Sequence, residues 1–210
     1  MSVSSYTALA DYRRRVAELY AQVRAEGVEA QARWRRFRRG RDELFRTHPQ
    51  TALTEADRAR FKGLDYFPYD PDLRLLLRVD TEVEPEELKI ELEQDGLTRL
   101  RRIGRIEFKL GGEACSLSLF WIEGYGGGLF LPFGDRTNGS ETFGGGRYLL
   151  DTIKGADLGQ EGERLVLDFN FAYNPSCAYD PRWHCPLAPP ENRLVVPIRA
   201  GERDYGPART

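Results

Sequence analysis

Cysteine, methionine, histidine and lysine are all scarce in this chain of 210 residues, at three, one, two and four. Three cysteines are too few for a disulfide scaffold and fit a reducing compartment, so the expected location is the cytoplasm. Two histidines, with no Gly-x-Ser-x-Gly elbow, leave a Ser/His/Asp triad without support. No apolar run approaches the ~18 residues of a membrane helix, and the first residues lack the apolar core of a signal peptide. No membrane partner is therefore expected. No Gly-Lys-Ser/Thr follows a glycine loop, and Gly124-Tyr125-Gly126-Gly127-Gly128 runs into Leu129 where a dinucleotide fingerprint needs its third glycine. Neither a cofactor nor a metal is expected.

The net charge of −2 conceals an asymmetry. Residues 1–62 carry 14 Lys+Arg against 8 Asp+Glu, and the remainder 17 against 25. Of the 21 glycines, 18 lie from Gly96 onward. The basic part is helical in period. Leu9, Tyr12, Val16, Leu19, Tyr20 and Val23 recur at three- and four-residue steps up to Gly27. Trp34, Phe37, Leu44 and Phe45 resume that spacing and stop before Pro49. Thr54 and Asp57 read as a capping signal for a short helix from Glu55 to about Lys62, with Gly63 as terminator.

Beyond Asp65-Tyr66-Phe67-Pro68 the period becomes two. Leu73, Leu75, Leu77 and Val79 alternate with Arg74, Leu76, Arg78 and Asp80, and Leu88, Ile90 and Leu92, and later Ile106, Phe108 and Leu110, alternate with charged neighbours. Asp95-Gly96 and Gly111-Gly112 read as hairpin turns. Cys115, Leu117, Leu119 and Trp121 form another apolar face. Further strands are expected at Gly128–Phe133, Arg147–Asp151, Arg164–Phe171 and Leu194–Ile198. Connections this short exclude most parallel crossovers. The expected fold is mainly β, a single antiparallel barrel-like domain (or strongly bent sandwich) over residues 64–203. Two or three α-helices in residues 1–63 pack on it, and 204–210 form a tail.

Four separated stretches carry a resemblance. They are Phe61-Lys62-Gly63-Leu64-Asp65-Tyr66-Phe67-Pro68, Thr142-Phe143-Gly144-Gly145-Gly146-Arg147-Tyr148-Leu149, Leu167-Asp168-Phe169-Asn170-Phe171-Ala172-Tyr173-Asn174-Pro175, and Cys185-Pro186-Leu187-Ala188-Pro189-Pro190-Glu191-Asn192-Arg193-Leu194. Together they resemble the bacterial and archaeal DUF1684 family, from about Trp34 to Glu202. The family's name denotes unknown function, so the resemblance implies kinship and no activity.

Chemistry has to be sought in the residues. The triple glycine Gly144–Gly146 either cradles an anion with its backbone N–H groups or turns a tight corner. Asp168 and Asn170 are short polar residues, poor strand formers, on one face of an expected strand. They line a polar hollow there, or pin a neighbouring loop, with Asp168 in reach of Arg147. The segment 174–192 holds five prolines with Tyr179 and Trp183, a long loop of the kind that covers a site. Within it, Cys177 and Cys185 read as small buried side chains. A disulfide, a metal, or Cys177 as nucleophile with His184 as base are the alternatives.

The candidate ligand-binding residues are thus Gly145, Gly146, Arg147, Tyr148, Asp168, Asn170, Tyr173, Asn174, Cys177 and Asn192. The expected ligand is a small polar or anionic molecule at one mouth of the barrel, and no catalytic residue is assigned. An enzyme using the same pocket, with a carboxylate such as Asp168 as acid or base, is the first alternative. An interaction module presenting Trp34–Arg41 is the second. The arginines at 33, 35, 36, 38, 39 and 41 read as a solvated face, and a pI near 5.9 argues against a nucleic-acid partner.

Overall fold

The structure is a computed structural model that describes residues 3–25, 27–92 and 96–206. Three helices come first: α1 (Val3–Arg24), α2 (Ala30–Thr47) and α3 (Glu55–Arg60). Each starts or stops for a local reason. The Glu29 carboxylate accepts from the N–H groups of Gln31 and Ala32, both at 2.8 Å, and so caps α2. The Thr54 hydroxyl accepts from Asp57 N at 3.0 Å and caps α3. α3 ends at Arg60, ahead of Gly63, whose positive φ of 137° instead brings the chain against the Asp42 carboxylate. No described helix is long and apolar enough to cross a membrane.

Eight strands follow among the described residues: β1 (Arg74–Leu77), β2 (Glu87–Leu92), β3 (Gly96–Leu110), β4 (Glu113–Ile122), β5 (Gly128–Phe133), β6 (Arg147–Asp151), β7 (Gln160–Glu161) and β8 (Arg164–Asp168). All strand pairs are antiparallel. They form a five-stranded sheet in order β2-β3-β4-β5-β6 and a three-stranded sheet in order β1-β8-β7. The chain is mainly β with two antiparallel sheets, and no closed barrel forms among the described residues, so of the expected barrel-like or bent-sandwich domain the barrel is not found. Among the described residues no ladder joins the two sheets; isolated bridges tie Asp80, just beyond β1, to Arg105 of β3, and Tyr173, beyond β8, to Tyr148 of β6. The β3–β4 register slips at Arg102/Gly104, beside the Asp80 crossing. A side chain at Gly104 would strike Val79 and the Asp80 carbonyl. Gly111 and Gly112, with φ of 60° and 86°, make the β3–β4 hairpin turn. The turn expected at Asp95-Gly96 lies partly outside the described residues, but its flanking strands pair, Leu92 opposite Gly96.

One large apolar cluster unites both parts of the chain. Val16 and Tyr20 of α1 and Trp34, Phe37, Leu44 and Phe45 of α2 pack with Leu117, Phe133, Leu149, Leu167 and Phe169. A smaller cluster (Leu100, Phe120, Phe130 and Tyr148) lies on the other face of the large sheet. Trp121 falls outside both, 38 % exposed, with its indole laid over Gly127. His48 is only 4 % exposed, with Nε2 at 3.2 Å from the Asp11 carboxylate and Nδ1 accepting from Gln50 N.

Two expected strands end or dissolve. β8 stops at Asp168, because the Asp168 carboxylate accepts from Asn170 N at 3.0 Å and starts a 3-10 turn over Phe169–Phe171. The segment 192–200 keeps a strict alternation of buried and exposed residues but forms no strand.

Candidate functional site

The residues named from sequence separate into three places. The first is a buried polar centre around Arg147, which is fully enclosed. Its Nη2 donates to Asp135 Oδ2 at 3.0 Å and to the Ile198 carbonyl at 2.8 Å. Its Nη1 donates to the carbonyls of Glu202, at 3.1 Å, and Ala200. The guanidinium therefore does for residues 198–202 what a neighbouring strand would do. Asp135 Oδ1 completes the centre by accepting from Thr137 N, the Thr137 hydroxyl and Ile198 N. Arg147 pairs with Asp135 and makes no pair with Asp168. Asn192, also fully buried, accepts from Ser118 N at 2.7 Å and donates to the carbonyls of Ser118 and Pro132, so it fastens the proline loop to β4 and β5. Gly146, with φ of 91°, lets the backbone pass under Phe133 and Ala188, and Gly145 is closed in by Phe143 and Leu187. These five positions are packed, and neither cavity described below reaches them.

The second place is a cleft of about 110 Å³ between the end of α1, the start of α2 and the small sheet. Asp168 lines it with Arg24, Arg33 and Arg74. Asn170 spends its donors and acceptors on architecture. It exchanges hydrogen bonds with the Asp70 backbone, at 2.8 and 2.7 Å, donates to Asp168 Oδ1 at 2.8 Å, and accepts the Trp34 indole N–H on its carbonyl at 3.1 Å. The hydrogen bonds that Asp168 accepts from the described residues both fall on Oδ1. Burial raises the Asp168 pKa to about 6, against the pull of the Asn170 hydrogen bonds and of Arg74 and Arg33.

The third place is a cavity of about 60 Å³ under α1. Tyr12, Val16 and Tyr20 of α1 and Arg41 and Phe45 of α2 cover it. Tyr148, Lys154 and the stretch from Tyr173 to Ser176, with Tyr179, form its floor and walls. Its polar side is held by Glu202, 1 % exposed, which accepts from Tyr66 Oη at 2.9 Å, Tyr179 Oη at 2.5 Å, Asn174 N at 2.8 Å and Arg41 Nε. The Arg41 guanidinium lies over the Tyr173 and Phe45 rings. Lys154, half exposed, reaches Asp151 Oδ2 at 3.3 Å. Two buried polar atoms here have no hydrogen-bond partner: Tyr20 Oη and Asn174 Oδ1. The amide orientation of Asn174 is fixed, because its Nδ2 donates to the Arg203 carbonyl at 2.7 Å.

The proline loop is pinned over this region. Tyr179 stacks edge-on against Phe45, and the Trp183 indole donates to the Ala52 carbonyl at 3.3 Å. Cys177 and Cys185, both partly buried, are free thiols within it. Among the described residues no group of three or more His, Cys, Asp or Glu side chains converges as a metal would require. The arginine run of α2 is divided: Arg35, Arg36 and Arg39 are exposed, Arg33 caps the end of α1 through the carbonyls of Val23 and Ala25, Arg38 lies over Trp34 and Tyr66, and Arg41 is buried with Glu202.

A family model for a protein of unknown function, DUF1684, matches residues 59–203. The chain belongs to the DUF1684 family. A DUF1684 relationship sets no activity, and no curated protein matches. Among solved structures, an uncharacterised protein of Haloarcula marismortui, determined by solution NMR, is 33% identical with a TM-score of 0.58. The match covers 82% of this chain and 93% of that one. The DUF1684 match begins after α1 and α2, so the helical cover of both cavities lies outside it.

Of the expected site residues, Tyr148, Tyr173 and Asn174 come together at the cavity under α1, with Cys177 next to its Ser176 wall. Asp168 stands apart in the open cleft. Sequence reasoning missed Tyr20, Arg41, Lys154, Tyr179 and Glu202. Tyr20 and Arg41 were visible only as members of an apolar stripe and a basic run, and Glu202 is 23 to 161 residues away from the residues it joins, Tyr179 and Arg41 among them, in a stretch without a motif.

Proposed function

We propose that this DUF1684 protein binds a small polar molecule in the cavity between α1 and the Tyr173–Tyr179 stretch. The observation that carries the reading is the pair of unpartnered buried atoms, Tyr20 Oη and Asn174 Oδ1, on the wall of one cavity. An unmatched buried polar atom costs about 1–3 kcal/mol, so a guest that donates to Asn174 and bonds Tyr20 recovers that amount at each. The size sets the class. About 60 Å³ exceeds the roughly 10–15 Å³ one water needs, yet falls far short of a drug-sized pocket. The aromatic walls of Tyr148, Tyr173 and Phe45 and the cations Arg41 and Lys154 favour a compact guest with an amide, hydroxyl or carboxylate group.

The test is a thermal-shift screen of amino acids, short amides, polyols and small carboxylates against the wild type and Tyr20→Phe. One chemical class should raise the melting temperature of the wild type, by a margin that shrinks in the variant. No shift with any class, or equal shifts in both proteins, would leave the cavity to ordered water and refute the reading.

A second reading, carboxylate acid–base chemistry, draws on a different observation. Asp168, with a pKa near neutrality, both its accepted hydrogen bonds on Oδ1, and three arginines around the cleft, has the character of a proton-transferring carboxylate beside a site for an anion. Asp168→Asn would then retain anion binding and lose turnover.

A further inference from the structure

The open cleft carries charges of both signs, and most of them are paired locally. Arg74 Nη2 donates to Glu161 Oε1 at 2.5 Å, and Arg24 Nη1 lies 3.6 Å from Asp157 Oδ2. Arg33, on the α2 wall, is different. Its Nη1 donates to the carbonyls of Val23 and Ala25, both at 2.9 Å. Those bonds fix the guanidinium at the end of α1 but bring it no formal countercharge. Asp168 lines the same cleft from the end of β8 and is 3 % exposed. It stands opposite Arg74 in the β1–β8 ladder and accepts only Asn170 donors, both on Oδ1. Among the described residues neither Arg33 nor Asp168 forms an ion pair, with each other or with a third group. Burial raises the Asp168 pKa to about 6 although Arg74 and Arg33 pull it down, so charge across the cleft does not fully compensate the carboxylate. Val23, Leu158, Val166 and Phe171 add apolar surface to the same walls.

We propose that this cleft is a site for a small zwitterion, an α-amino acid, whose carboxylate meets the Arg33 guanidinium and whose ammonium meets the Asp168 carboxylate. The inference is independent of the cavity under α1. It goes beyond the acid–base reading of the same cleft, because it assigns a ligand class and needs no turnover. Charge balance selects the class. A plain anion would compensate Arg33 but set a second negative charge beside a buried carboxylate, and a plain cation would do the reverse. An amino acid brings both signs on adjacent atoms and no net charge, so each wall gains its partner at once. Arg33 presents the planar fork that suits a carboxylate, and an ammonium supplies donors to Asp168 Oδ2. Size agrees. About 110 Å³ is several times the roughly 10–15 Å³ one water needs and well below the roughly 300–1,000 Å³ of a drug-sized pocket. The apolar walls give an aliphatic side chain a place to lie.

The experiment is calorimetric titration of the full-length chain near pH 7.5 with each common amino acid. The tightest binder is then compared with its deaminated acid and its decarboxylated amine. The amino acid should bind at least about tenfold more tightly than either analogue, since each lacks one charge-assisted contact. Asp168→Asn should lower amino-acid affinity about tenfold or more and leave the acid analogue unaffected. Arg33→Gln should lower it likewise and leave the amine analogue unaffected. Tyr20→Phe, in the other cavity, should change nothing. Circular dichroism spectra and melting curves of the variants guard against misfolding. Four results would overturn the proposal: no binding of any amino acid, an acid or amine analogue as tight as the amino acid, equal affinity in Asp168→Asn and the wild type, or a loss confined to Tyr20→Phe. An acid analogue that binds as tightly makes the cleft a plain anion site and leaves the acid–base reading standing, so the two fail separately.

Discussion

Arg147 and Asn174 are both buried polar residues, and both reach Glu202, the Arg147 guanidinium at its carbonyl and the Asn174 backbone N–H at its carboxylate. They behave differently. Arg147 places both terminal nitrogens on four acceptors and is sealed, with only Nε lacking a partner and neither cavity beside it. Asn174 and Tyr20 line one cavity, and the Asn174 acceptor oxygen and the Tyr20 hydroxyl are both without a partner among the described residues. The comparison teaches that polarity inside a β-rich core does not mark a site. A sealed network holds the chain together, whereas unmatched atoms facing a void leave a role for a guest.

The largest effect that comparison predicts falls on the sealed side. Arg147→Met removes the partner of a fully buried carboxylate and strips the donor from three carbonyls. Breaking a buried pair from one side costs about 3–5 kcal/mol, so urea unfolding should show a loss at or above the top of that range. Arg147→Lys keeps the charge but cannot span acceptors on both Asp135 and residues 198–202, and should recover less than half of the loss. A variant within about 1 kcal/mol of the wild type would mean that Arg147 is not the staple described, and would reopen it as a binding residue.

That staple also explains what could and could not be read from the chain. Helix starts at Thr54 and strands at Gly128–Phe133 and Arg147–Asp151 follow from capping and two-residue alternation, which are local. Leu194–Ile198 alternates just as clearly, and its alternate residues are buried, but its backbone partner is a side chain 51 residues earlier for Ile198. Alternation reports burial and is silent on what completes the ladder. The strand expected through Phe171 failed for the opposite reason: Asp168 caps its own turn, and so turned Asn170 toward Asp70. Closure into a barrel depended on pairings between sheets, which short apolar periods do not encode. The site suffered most. Tyr148, Tyr173 and Asn174 were legible because they adjoin glycine- and proline-marked stretches, while Tyr20 and Glu202 join them only through tertiary contacts.

The open cleft offers an intermediate test, because Asp168 is buried like Arg147 but lacks a countercharge bonded to it. Its folded pKa of about 6 lies above the ordinary carboxylate value of 3.8. The folded protein therefore holds this proton more tightly than the unfolded chain. The contribution to stability is complete below about pH 4 and is lost as pH rises through about 6. Asp168→Asn can still accept the two Asn170 hydrogen bonds on its oxygen. It should be more stable than the wild type by about 2–3 kcal/mol near pH 7, with the gap closing toward pH 4. Parallel pH–stability curves for the two proteins would show that the carboxylate is not strained by burial.

The smallest effect is the sharpest test of the unmatched side. In most proteins Tyr→Phe at a residue only 1 % exposed removes a hydrogen bond and costs stability. Tyr20 Oη has no partner, so Tyr20→Phe without ligand should leave the melting temperature unchanged or raise it, by up to about 1 kcal/mol at equilibrium. A matching change at Tyr66, whose hydroxyl donates to Glu202, should instead destabilise by about 1–2 kcal/mol, because that bond is charge-assisted. Two tyrosines in one core, altered by the same atom, should thus move in opposite directions. If both lose stability alike, Tyr20 is satisfied by ordered water, and the cavity is part of the core's own hydrogen bonding instead of a place kept for a ligand.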